Sequence, residues 1–200
     1  MSAANIRIGN QTSCHAPALL PYEFAVAHGF DAFEWLSDKG PWGWCEEDMR
    51  QAKRAELRRT AQQRGMLFSV HTPVAADPTT SSGAEAIRRS IRFGGDVGAG
   101  VIKLHLFPEH GAKPFAEALR PLMKEARSTG VRLCLENTPQ TSADHFNAFF
   151  AVLAAMPEAT GQVGMCLDSG RQPVCWHAQR LPRVCGPARG ARPHHPLACP

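Results

Sequence analysis

Several features that would identify other classes of protein are missing from this sequence of 200 residues. No apolar run approaches the roughly eighteen residues that a membrane-spanning helix needs. The N-terminal stretch lacks the basic-then-apolar order of a secretory signal peptide, and the seven cysteines show no spacing typical of a disulfide framework. These absences predict a cytoplasmic protein without a membrane segment, in which cysteines such as Cys134 and Cys166 are small core residues.

An excess of basic charge is also missing from most of the chain. The formal net charge is +4, but residues 169–200 hold five arginines and no Asp, Glu or Lys. Removing those five from the 22 basic residues leaves 17 against 18 acidic residues in the first 168, a formal charge of −1. This part of the chain offers no electrostatic basis for binding a phosphate backbone, so a nucleic-acid partner is not favoured.

What the sequence contains instead is a repeated unit. In each of five segments, a helix-like stretch stops at or near a glycine, and a short strand-like run then ends on a side chain that can bind a metal or transfer a proton. These end points are 37, 34, 31 and 32 residues apart, which is the length of one strand, one helix and two loops. The spacing predicts alternating βα units. The five end points are Glu34, His71, His105, Glu136 and Asp168.

The periodicity predicts six strands that alternate with five helices. The strands are expected at 5–9, 31–35, 66–71, 101–105, 131–138 and 162–168. The helices are expected at 21–28, 46–64, from a capping box at Ser82 and Glu85 onward, from Pro114 to Gly130, and at 142–156.

The alternation of side chains within the strands favours a closed barrel over an open doubly wound sheet, although both folds satisfy the βα order. Residues on the same strand face as the end points are small or polar, whereas the opposite face is bulky, as a barrel interior and a helix-facing exterior require. The sequence NQTSCHAP follows the first strand, where a dinucleotide-binding fold would have a glycine-rich turn. The small or polar set is Ala32, Ser69, Lys103, Cys134 and Cys166.

We therefore predict an α/β fold, a (β/α) TIM-type barrel, with about six of the eight βα units in residues 1–170. In such a barrel the C-terminal ends of the strands meet at one mouth. Two imidazoles and several carboxylates there suit a divalent ion, and the carboxylates could also move protons. Glu136 and Asp168 are the leading candidates, because an acid that ends a buried apolar strand is unfavourable unless it is paired or metal-bound. For a single His or Glu, a role as a hydrogen-bonded loop anchor stays open.

Four short motifs in the same order carry a family resemblance: HTP at 71–73, KLH at 103–105, LENT at 135–138 and CLDSG at 166–170. Together they resemble the xylose-isomerase-like TIM-barrel superfamily, which groups sugar phosphate isomerases and epimerases with endonuclease IV. The resemblance spans about residues 5–170. It implies a divalent metal (Mn²⁺, Zn²⁺, Mg²⁺ or Co²⁺). It also implies that Glu136 and Asp168 bind the metal, that Glu136 acts as an acid or base, and that His71 and His105 bind metal or substrate. We further assign a catalytic role to His105 and substrate binding to Glu34.

The function implied by this resemblance is isomerisation or epimerisation of a small sugar or sugar phosphate through proton transfer next to a carbonyl. An endonuclease-IV-like zinc phosphodiesterase acting on abasic DNA is the first alternative, and it would need a basic groove and more histidine ligands. A non-catalytic barrel fragment with a binding or scaffold role is the second alternative.

The sequence departs from the family pattern at residue 171. In the family, the aspartate of strand 6 commonly opens a D-x-G-H motif, whereas here Asp168-Ser-Gly is followed by Arg171. Residues 169–200 contain six Pro, five Arg, three Cys and three His, with no acidic residue and no helical or strand period.

We interpret residues 171–200 as an irregular Arg/Pro/Cys-rich tail produced by a reading-frame shift, which sequencing the gene would test. A small zinc module is the alternative, but the paired ligand spacing is missing. Six strands cannot close an eight-stranded barrel, so we expect impaired activity and either a homo-oligomer or edge-to-edge association.

Overall fold

In the computed structural model, which describes residues 6–13, 15–39 and 43–169, the chain forms one parallel sheet flanked by helices. The six strands follow the order β1-β2-β3-β4-β5-β6, and each pairs in parallel with the next one in the chain. This order confirms the predicted βα alternation and a partial TIM barrel. Among the described residues, β1 and β6 each pair on one side only. The strands are β1 Gly9–Gln11, β2 Ala32–Leu36, β3 Leu67–His71, β4 Val101–His105, β5 Arg132–Glu136 and β6 Val163–Cys166.

Five α-helices connect these strands, and short 3₁₀ turns lie at 46–48, 108–110 and 157–159. Several helices end where a glycine adopts a left-handed conformation, for example Gly65 (φ 65°) and Gly130 (φ 78°), which residues with a Cβ rarely adopt. None of the helices in the described part of the chain is long and apolar enough to cross a membrane. The helices are α1 Leu19–Ala27, α2 Gln51–Arg64, α3 Ser81–Val97, α4 Ala112–Thr129 and α5 Ala143–Ala154.

The bulky face of the strands forms the core beneath the helices, as predicted. Val70, Ile102 and Leu104 are fully buried against side chains of α3 and α4 such as Ile91 and Leu119. Each buried side chain of this size contributes roughly 1.5–3 kcal/mol to folding. The opposite strand face, which is small and polar, is left to form the interior that leads to the functional side chains.

Several element boundaries differ from the sequence prediction, most of them by one or two residues. The helix expected at 46–64 is a 3₁₀ turn at 46–48 followed by α2 from Gln51. The sequence predicts the first strand at 5–9, whereas in the structure β1 starts at Gly9, and Ile6 and Ile8 are exposed rather than in the core. The capping box at Ser82 and Glu85 is wrong, since α3 starts at Ser81 and the hydroxyl of Thr80 accepts the hydrogen bond from the Gly83 amide. The tail from residue 171, with its predicted frame shift and its alternative zinc module, lies outside the described residues.

Candidate metal centre

Three side chains meet where neighbouring strands end. His71 is the last residue of β3, His105 ends β4, and Glu136 ends β5 and is the register partner of His105. All three residues are buried, with 7 %, 8 % and 6 % of their surface exposed. One ligand atom from each lies within 4.8 Å of the others, so this group could hold a metal ion.

Backbone carbonyls orient both imidazole rings. His71 Nδ1 lies 2.6 Å from the Thr72 carbonyl oxygen, and His105 Nδ1 lies 3.2 Å from that of Val74. A carbonyl only accepts hydrogen bonds, so each Nδ1 carries a hydrogen and each Nε2 is presented to the centre. His71 Nε2 lies 2.8 Å and His105 Nε2 lies 3.7 Å from the same atom, Oε2 of Glu136.

Glu136 is held as a carboxylate by its surroundings. Burial alone would raise the pKa of Glu136, but contacts with His105 and His71, together with the positive charge of Lys103, outweigh burial and hold this pKa well below its usual range. Its Oε1 lies 3.1 Å from the Lys103 ammonium, while Oε2 faces the two imidazoles. The two oxygens of Glu136 therefore face the ammonium on one side and the two imidazoles on the other.

Lys103 joins Glu136 to a second carboxylate, that of Glu34. The Lys103 ammonium lies 3.0 Å from Glu34 Oε1, and the hydroxyl of Ser69 donates a 2.9 Å hydrogen bond to Glu34 Oε2. Burial would lower the pKa of Lys103, but the negative charges of Glu34 and Glu136 raise it above the ordinary value. Glu34, predicted to bind substrate, thus lies beside the centre and is linked to it through Lys103.

Sequence reasoning assigned Lys103 to the interior face but not to the site. Its position two residues before His105 could have placed Lys103 in the site, because side chains alternate along a strand and residues i and i+2 share a face. A lysine at that position, among small side chains and close to carboxylates, needs a counter-charge when it is buried.

Asp168 follows β6 by two residues and is not one of the three side chains whose ligand atoms converge. Its backbone is fixed by Asn137, which directly follows Glu136 in the chain. The Asp168 amide donates a 2.6 Å hydrogen bond to Asn137 Oδ1, and Asn137 Nδ2 donates a 3.1 Å bond to the Asp168 carbonyl. The predicted role of Asp168 as a metal ligand stays a prediction.

The donor set fits a divalent cation. Two imidazole nitrogens and one carboxylate oxygen form the ligand set of catalytic zinc sites that keep an open position, and related sets bind other divalent metals. Because Nδ1 of His71 already donates to a carbonyl, its Nε2, which lies 2.8 Å from Glu136 Oε2, is the ring atom left to bind a metal ion together with that carboxylate.

A parallel sheet of alternating βα units, with polar side chains gathered at the C-terminal strand ends, defines a protein of the TIM-barrel class. The sequence matches the family described as xylose isomerase-like TIM barrel over residues 22–180. The chain belongs to this family. No curated protein sequence matches it significantly.

Solved structures show the same fold. A xylose isomerase domain protein from Planctomyces limnophilus matches with a TM-score of 0.62 and 16% identity, covering 83% of this chain and 64% of that one. A D-psicose 3-epimerase crystallised with D-fructose matches with a TM-score of 0.63 and 15% identity, covering 84% and 65%. A protein from Thermus thermophilus, soaked with ZnCl₂, gives a TM-score of 0.59 and 25% identity, covering 84% and 68%. The chain thus spans slightly less than two thirds of the first two structures.

Proposed function

We propose that His71, His105 and Glu136 bind one divalent cation, and that the protein isomerises or epimerises a small sugar or sugar phosphate by proton transfer next to a carbonyl. The observation that carries this proposal is the convergence of the two Nε2 atoms on Glu136 Oε2 at the C-terminal ends of β3, β4 and β5. Membership of the xylose isomerase-like family and the fold shared with a sugar epimerase support the choice of substrate class.

When bound, a cation such as Mn²⁺, Zn²⁺, Mg²⁺ or Co²⁺ would polarise a carbonyl or hydroxyl of the substrate. Glu136 suits the role of a ligand better than that of a proton acceptor, because its pKa is lowered and both of its oxygens are engaged. His105 remains our candidate for proton transfer, and His71 and Glu34 remain candidates for contacts with substrate hydroxyls. Asp168 is proposed as a further ligand, held near the end of β5 by Asn137.

Charge favours this function over cleavage of abasic DNA. The first 168 residues carry one net negative charge, and Glu34 adds a carboxylate next to the centre. Both features oppose the approach of a phosphodiester backbone. A protein that only binds metal, without catalysis, remains the other alternative, and turnover distinguishes it.

Metal content tests the first half of the proposal. Purified protein, dialysed against Mn²⁺ or Zn²⁺ and then against buffer, should retain one ion per chain, measured by inductively coupled plasma mass spectrometry. Glu136→Gln and His71→Ala should lose this ion, whereas Glu56→Gln, an exposed carboxylate on α2, should keep it. Equal metal content in Glu136→Gln and wild type would contradict the proposed centre.

Proton exchange tests the second half. In D₂O with the metal present, the protein should place deuterium at the carbon next to the carbonyl of small ketoses, which NMR detects even where net conversion is slow. Glu136→Gln should abolish this exchange. Cleavage of an abasic-site DNA duplex without sugar exchange would favour the endonuclease alternative, and metal binding without either reaction would favour a binding role.

A further inference from the structure

The ammonium of Lys103 lies between two carboxylates, that of Glu136, which is buried, and that of Glu34, which is partly buried. Nζ is 3.0 Å from Glu34 Oε1 and 3.1 Å from Glu136 Oε1, so the two oxygens can be no further apart than the sum of these distances. The side chains of Lys103, Glu34 and Glu136 are only 15%, 16% and 8% exposed. Water therefore screens this group of charges poorly.

The remaining oxygen of each carboxylate is fixed from the other side. Ser69 donates to Glu34 Oε2 at 2.9 Å, and His71 Nε2 lies 2.8 Å from Glu136 Oε2. These contacts aim Oε1 of both carboxylates at one position, which the ammonium occupies. Glu136 thus faces the ammonium with Oε1 and the metal position proposed above with Oε2.

Two carboxylates this close together are unfavourable unless a cation lies between them. An ammonium is a compact point charge, and a divalent ion with oxygen ligands could serve the same purpose. We propose that the Lys103 ammonium occupies a second cation position, between Glu34 and Glu136, and thereby limits the site to a single divalent ion. The position of that first ion rests on the proposed function, whereas the role of Lys103 is judged by the difference between variants.

Removing the ammonium should open the second position. In Lys103→Met the side chain keeps a similar length and loses its charge, so Glu34 and Glu136 are left facing each other without a counter-ion. We expect wild type to bind one Mn²⁺ per chain and Lys103→Met to bind two, measured by equilibrium dialysis with mass spectrometry. Electron paramagnetic resonance should show isolated Mn²⁺ in wild type and a spin-coupled pair in Lys103→Met.

Two controls identify the carboxylates involved. Lys103→Arg keeps a positive charge and should bind the same number of ions as wild type. The double variant Lys103→Met/Glu34→Gln removes one carboxylate of the second position and should return to the wild-type number. Lys103→Gln, which is uncharged but still donates hydrogen bonds, repeats the test if circular dichroism shows that Lys103→Met does not fold.

The outcomes separate this inference from the proposed function. If Lys103→Met and Lys103→Gln bind no more ions than wild type, or if the double variant keeps the additional ion, the inference is overturned. If wild type binds no ion, the proposed metal function fails, and a gain of one ion in Lys103→Met would still support the second position.

Discussion

Glu136 is the residue on which most interactions of the centre depend. One carboxylate contacts two imidazoles through Oε2 and the Lys103 ammonium through Oε1. Each partner favours its ionised form, and together they overcome the effect of burial on its pKa. A group with such partners stabilises the folded chain only while it is charged.

Acid should therefore destabilise the wild type through Glu136. Its folded pKa lies below the ordinary value of 4.5, so its contribution is present above that value and is lost as the pH falls below it towards the folded pKa. Between about pH 6 and pH 3, the free energy of unfolding should fall more in wild type than in Glu136→Gln. Urea titrations followed by circular dichroism measure both, and parallel curves would contradict this assignment.

A substitution at Asn137 tests whether Asp168 is a metal ligand and leaves Asp168 itself unchanged. Asn137 is fully buried, and its amide both donates to and accepts from the backbone of Asp168. If Asp168 is a ligand, Asn137→Ala should weaken metal binding by roughly 10–100-fold, the usual effect of removing a group that orients a ligand. Isothermal titration with Zn²⁺ measures this, with Asn147→Ala on α5 as the control; unchanged affinity would argue against Asp168 as a ligand.

At the level of elements, the alternation of side chains along the strands was the more accurate predictor. It located the site residues, whereas the capping pattern gave the wrong start for α3. The alternation of side chains correctly separated the interior face from the core face, because period-two burial is a local property of a strand. The start of α3 depends on the turn before the helix, which the helical pattern does not include: the Thr80 hydroxyl accepts from the Gly83 amide and donates to the Asp77 carbonyl. Lys103 was missed because its carboxylate partners, Glu34 on β2 and Glu136 on β5, are distant in the sequence and come close only in the folded sheet.

The first turn of α3 packs against the loop after β3, and Gly83 makes this possible. A Cβ at position 83 would lie 2.0 Å from the Asp77 carbonyl oxygen, which is backbone and cannot rotate away. Gly83→Ala should lower the free energy of unfolding by about 1–3 kcal/mol or more, as overpacking does. Gly100→Ala meets nothing within 4 Å and should stay within roughly 0.5 kcal/mol of wild type in urea unfolding. Equal stability of the two variants would contradict this close contact between the helix and the loop.

At the level of the whole molecule, the two edges of the sheet favour self-association. Within the described residues, β1 and β6 pair on one side only, so each presents unpaired backbone groups at an edge. In β6, Val163 and Met165 are only half-buried, and Leu167, which directly follows the strand, is 48% exposed. Strand edges with apolar neighbours favour pairing between copies of a chain.

We therefore predict concentration-dependent self-association, measured by sedimentation velocity or by light scattering after size exclusion. Leu167→Lys places a charge beside the β6 edge and should shift the population towards monomer, since charged side chains at an edge oppose pairing. Leu20→Lys, at a 58% exposed position on α1, is the matched control and should associate like wild type. A wild-type protein that stays monomeric at all concentrations would show that neither edge pairs with another copy. Equal association of both variants would instead place the contact away from β6, and a β1 variant would then be the next comparison.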